Sequence, residues 1–89
     1  MENKHILLCN LDKLHTTALG RERIVRNLQL NANMSDVEIV DYCKNKILKQ
    51  NRRICRRGKN WYCEAENVRI TVNSSSYTII TAHGLESEF

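Results

Sequence analysis

The segment Arg52-Arg53-x-x-Arg56-Arg57-x-Lys59 sets five cations within eight residues, and Trp61 and Tyr62 follow it directly. Cations at this density displace counterions from phosphates, and exposed aromatic rings stack on unpaired bases. The same residues also suit a plainer role, in which Arg and Lys keep an exposed strand edge from associating while Trp61 packs in the core. Arg21, Arg23 and Arg26 add three cations on a predicted helix, which favours an anionic ligand such as RNA. The expected nucleic-acid contacts are Arg21, Arg26, Arg52, Arg53, Arg56, Arg57, Lys59 and Trp61.

A second set of residues suits metal-free cleavage of RNA. That reaction needs an imidazole to take the 2′-hydroxyl proton, a second group to protonate the leaving oxygen and a cation for the developing charge. His15, His83 and Thr81, with Arg21 or Arg26, supply those types, and Thr71, Ser76 and Thr78 are further hydroxyls on the same strands. Against this stands a structural account in which His15 caps a helix start and His83 ends a strand in solvent.

Cys9, Cys43, Cys55 and Cys63 include no Cys-x-x-Cys pair, and His5, His15 and His83 are scattered. The spacing therefore predicts free thiols and neither a metal site nor a cofactor. Cys55 and Cys63 flank a predicted hairpin, where a suitable register would let them approach.

The elements that must position these groups fit one domain over residues 1–89 with a formal net charge of +4. A chain of this size buries only about 60–65% of its unfolded surface. Hydrophobic residues at 42% and charged residues at 27% are ordinary for a globule and exclude disordered and fibrous classes. The run Ile6-Leu7-Leu8-Cys9 is far shorter than a membrane span, so the expected setting is cytoplasmic, without membrane contact, as a monomer or small homo-oligomer.

Apolar residues at Ile6, Leu7, Leu11 and Leu14 predict a helix over 3–14. Thr16 or Thr17 opens a second, 18–28, with Leu19, Ile24, Val25 and Leu28 inward. Gly20 in its first turn is either a weak spot or a place of close backbone approach. Ser35-Asp-Val-Glu38 is a capping box, starting a third helix over 36–49 that buries Val37, Val40, Cys43 or the stem of Lys44, and Ile47. From Arg52 the pattern becomes extended, with a Gly58-Lys59 turn, alternation at Val68, Ile70 and Val72, and a last strand from Tyr77 to His83. The Ile79-Ile80 doublet predicts a central strand covered on both faces. The fold class is α+β, two to three N-terminal helices in a helical half (about 3–49) packed on a four-stranded antiparallel β-meander (about 52–83), with a tail at 84–89.

The runs Leu14-His15-Thr16-Thr17 with Gly20, Arg23, Ile24 and Asn27-Leu28, Gly58-Lys59-Asn60-Trp61-Tyr62, Ile70-Thr71-Val72-Asn73 and Ser76 to His83 resemble a bacterial family of unknown function numbered three-seven-eight-one. The resemblance spans nearly the whole chain and implies no activity. More loosely, helices followed by a meander ending in Ile-Ile-Thr-Ala-His are similar to the barnase, EndoU, colicin and RelE-like small RNases. That likeness implies catalytic groups at His15, Arg21, Thr81 and His83. Two other classes stay open: a non-catalytic nucleic-acid-binding module, and a protein-binding accessory or inhibitor from a mobile element, for which a protein is the partner.

Overall fold

The computed structural model describes residues 3–85, with side chains from Ile6 onward. His5 as a side chain, and residues 86–89 of the expected tail, lie outside that description. Helix α1 (Asn3–Leu8) is followed by a 3-10 turn (Leu11–Lys13) and a two-residue strand β1 (His15–Thr16). Helices α2 (Ala18–Leu28) and α3 (Asp36–Ile47) come next, then strands β2 (Arg53–Arg57), β3 (Asn60–Ala65), β4 (Val68–Asn73) and β5 (Thr78–Gly84). No helix among the described residues is long and apolar enough to cross a membrane.

The fold is α+β, but the sheet has five strands in the order β1-β5-β4-β3-β2, and β1 pairs with β5 in parallel. This corrects the expected four-stranded antiparallel meander. His15 and Thr16 are too few for periodicity to reveal as a strand, and their pairing becomes visible only when they meet Thr78 and Ile79. The single helix expected over 3–14 is likewise divided, because the chain turns at Asn10 to enter β1.

Local chemistry accounts for the helix starts. The Thr17 hydroxyl accepts from Gly20 N at 3.1 Å at the head of α2. At α3, Glu38 N donates to Ser35 Oγ at 3.2 Å while Ser35 N donates to Glu38 Oε1 at 2.8 Å, so the capping box is complete. Ser35→Ala leaves one amide of that box without its partner. It is expected to lower stability by about 1 kcal/mol, read as a reduced midpoint in urea with unchanged slope.

Residues directly opposite one another share a sheet face, and the registers sort the strands cleanly. Ile54, Cys63, Ile70 and Ala82 form one row, with Arg56, Trp61, Val72 and Ile79 beside it. This face meets Ile39, Cys43 and Ile47 of α3 and Leu7 of α1 in one buried cluster. Val37, Leu19 and Ile6, expected inward, are exposed at 68%, 55% and 46%. Ile39 takes the inward place on α3 instead, which rotates the buried stripe away from Val37.

The Ile79-Ile80 doublet has a different cause from the one expected. Thr71 pairs with Thr81 and Val72 with Ile79, so Ile80 is the extra residue of a bulge. Beyond β1, the outer edge of β5 is covered by α2. A Cβ at Gly20 would stand 2.5 Å from Thr16 Oγ1, 3.0 Å from Ile79 O and 3.2 Å from Ile80 O, and Asn27 Nδ2 donates to Ala82 O at 3.3 Å. Gly20 is therefore the point of close backbone approach, and the helix shields carbonyls that would otherwise form an open sheet edge.

Cys55 and Cys63 cannot approach as a pair, because Cys55 opposes Tyr62 and Cys63 opposes Ile54, on opposite faces. Cys43 and Cys63 are buried, and burial pushes both thiols up to about 12. An unfolded thiol ionises near 9, so the unfolded chain loses these protons first and folding weakens as pH rises from about 9 toward 12. Cys43→Ala is expected to show a shallower loss over that window in thermal melts. At neutral pH, Cys9 and Cys55 are exposed, and a thiol reagent should modify them quickly while Cys43 and Cys63 wait for unfolding.

Candidate nucleic-acid interface

The face turned away from α1 and α3 collects most of the polar side chains of the strands. Arg53, Glu64, Arg69 and His83 form its first row, and Cys55, Tyr62, Thr71 and Thr81 its second. Arg57, Asn60 and Asn73 begin the third row. Thr78 adjoins the inward Ile79 and so points outward, with His15 opposite it across the parallel pair. Strict alternation along β3 and β4 produces this segregation.

Arg53, Cys55, Arg57, Tyr62, Glu64 and Arg69 line a hollow of about 660 Å³ on this face. Strand geometry puts Arg57 about 13 Å along β2 from Arg53, and Arg69 about 10 Å away across two strand spacings. Tyr62 stands between the three arginines, half-buried, with its hydroxyl accepting from Asn60 Nδ2 at 3.4 Å. Arg69 holds Glu64 through Nη2 at 2.6 Å and Nε at 2.8 Å. Both partners are partly exposed, so the pair adds little stability. Its effect is to fix Arg69 beside the hollow, which retains two cations in excess.

The cationic segment read from the sequence divides between the faces. Arg53 and Arg57 reach the hollow. Arg56 lies on the helix face, 5.7 Å over the Trp61 ring, with Nε donating to Gly58 O at 2.9 Å. Arg52 donates to Lys49 O at 3.2 Å, before β2 begins, and Lys59 is exposed in the hairpin turn. Trp61 is 1% exposed, so its ring meets core side chains and cannot stack on a base. Register, which sequence composition does not reveal, makes Tyr62 the aromatic residue of the outer face.

Arg21 is occupied as a tether. Its Nε donates to Met34 O at 3.0 Å and its Nη2 to Ala32 O at 2.7 Å and to Met34 O, with Asp36 Oδ1 3.4 Å from Nε. These bonds fasten the loop between α2 and α3, which removes Arg21 as a phosphate ligand. Arg26 is exposed on α2, at the β5 edge and far from the arginines of β2.

His15 is well defined at its corner. Its ring nitrogens lie 3.0 Å from Lys13 O and 3.0 Å from Thr78 Oγ1, and Thr78 Oγ1 is 2.7 Å from Ser76 Oγ. With Nδ1 donating to the carbonyl, Nε2 accepts from the Thr78 hydroxyl. His83 sits at the opposite end of β5, level with Arg69. With Ile80 bulged out, about four strand rises, or about 13 Å, separate Thr78 from His83, so the two histidines stand at opposite ends of β5. Thr81 Oγ1 accepts from Asn27 Nδ2 at 3.3 Å, in the row between them. Arg69 escaped notice as a site residue in the sequence, although alternation with Ile70 and Val72 already placed it on an outward face, and of the aromatic pair Trp61 was expected at the contact where Tyr62 stands.

Among the described residues, no group of three His, Cys, Asp or Glu side chains could hold a metal ion. A model of the family described as "Protein of unknown function (DUF3781)" matches residues 8–83. No curated protein and no solved structure matches the chain.

Proposed function

The chain belongs to that family of unknown function, and from this premise we propose that it is a nucleic-acid-binding module whose ligand, RNA by preference, lies on the outer sheet face. The convergence of Arg53, Arg57 and Arg69 around one hollow carries the reading. Planar guanidinium groups donate two bonds to a phosphate at once and are held here on paired strands, which limits the entropy lost on binding. The formal charge of +4 adds a long-range attraction for a polyanion.

Binding is favoured over cleavage because His15 and His83, the pair the cleavage reading needs, stand at opposite ends of β5.

Titration of the ¹⁵N-labelled protein with an RNA oligonucleotide in EDTA tests both readings together. Amide shifts concentrated at Arg53, Tyr62 and Arg69, with the RNA left intact, are expected. Shifts confined to α2 and α3 would overturn the site. Cleavage in EDTA that disappears in His15→Ala would restore a metal-independent ribonuclease.

A further inference from the structure

We infer that the outer face takes a single strand, one unpaired base of which stacks on Tyr62. This inference rests on the nucleic-acid reading above and specifies its ligand. The cations surround a recess and do not crown a ridge: Arg53, Arg57 and Arg69 are set about 10–16 Å apart around a hollow of about 660 Å³. A duplex keeps its bases inside a convex cylinder, so it would meet the rim and leave the recess unused. A single strand can turn a base inward while its phosphates stay with the rim arginines.

The interior of the recess suits that base. Tyr62 is half-buried, and its row neighbours Cys55 and Thr71 are small enough to leave the ring unobstructed. Asn60 and Glu64 stand one row to either side of Tyr62, within reach of the hydrogen-bonding edge of a base. The half-buried Glu64 carboxylate, held by Arg69, is a hydrogen-bond acceptor. It therefore suits the amino or ring N–H donors on the edge of a base.

The test compares three probes at equal charge: a short single-stranded RNA, the same sequence as a duplex, and inorganic polyphosphate. Wild-type protein is expected to prefer the single strand to both. Tyr62→Ala should weaken single-strand binding roughly five- to hundredfold, the range for one stacked base, and leave polyphosphate binding unchanged, while Tyr62→Phe retains the wild-type affinity. A single-stranded RNA with its bases removed needs no protein variant and should bind wild type as weakly as intact RNA binds Tyr62→Ala. The fluorescence of buried Trp61 reports whether each variant is folded. Equal affinity for duplex and single strand, or for intact and base-free RNA, would overturn the inference and leave the polyanion reading standing. Failure of wild type to bind any of the three would remove both.

Discussion

Replacement of Arg53, Arg57 and Arg69 together by glutamine is expected to abolish most of the salt dependence of RNA binding. Each phosphate neutralised on a single strand contributes about 0.7 to the slope of log affinity against log salt. Glu64 offsets one of the three cations, so the two in excess give a slope near −1.4, and a fourfold rise in salt costs wild type roughly sevenfold in affinity. The triple variant should bind weakly at low salt and change little as salt is raised. Arg56→Gln is the matched control, because Arg56 lies on the helix face over Trp61, and its slope should stay within a fraction of a unit of wild type. Arg69 has a further effect through Glu64, whose carboxylate it neutralises at 2.6 Å. Arg69→Gln alone should weaken binding more than Arg57→Gln, since it removes a cation and releases an anion onto the same face. Glu64→Gln should act in the opposite direction and tighten binding of polyphosphate. A wild-type slope near zero, or equal slopes in wild type and triple variant, would show that the arginines do not meet phosphate.

Gly20→Ala is expected to destabilise the protein by about 1–2 kcal/mol, although alanine is the better helix former. Helix propensity alone gives alanine an advantage of up to about 1 kcal/mol. Set against it is a Cβ placed 2.5 Å from Thr16 Oγ1 and 3.0 Å from Ile79 O. The Thr16 hydroxyl cannot simply swing aside, because it donates to that same Ile79 carbonyl at 2.8 Å. Forcing atoms into so close a contact typically costs about 1–3 kcal/mol, so the helix must lift from β5 or the β1–β5 pair must loosen. Denaturation of a double-mutant cycle with Thr16→Ala separates these contributions. Thr16→Ala removes the nearest atom, and Gly20→Ala should then cost less than in wild type, though the Ile79 and Ile80 carbonyls remain. A stabilising Gly20→Ala would mean that α2 stands farther from β5 than the contact distances require.

The amino-acid sequence by itself determined the elements whose signals are local. The capping box at Ser35 and Glu38 marks the start of α3, Thr17 marks that of α2, and Gly58-Lys59 marks the hairpin, because each depends on groups within a few residues. Alternation along Val68, Ile70 and Val72 likewise separates a buried face from a polar one. Signals that depend on a distant partner were not legible. The two residues of β1 become a strand only against β5, sixty-three positions away, and the Ile79-Ile80 doublet reads as a doubly covered strand until register exposes the bulge.

The candidate site divides in the same way. That a basic segment near an aromatic pair could meet an anion was visible in composition. Tertiary structure alone decided that Arg53 and Arg57 share a face with Arg69, that Arg56 and Trp61 lie on the other, and that Arg21 is tied to the Met34 and Ala32 carbonyls. The physical reason is the two-residue period of a strand: adjacent side chains of identical chemistry, such as Arg56 and Arg57, point to opposite faces, and only pairing with neighbouring strands determines which face the ligand can reach.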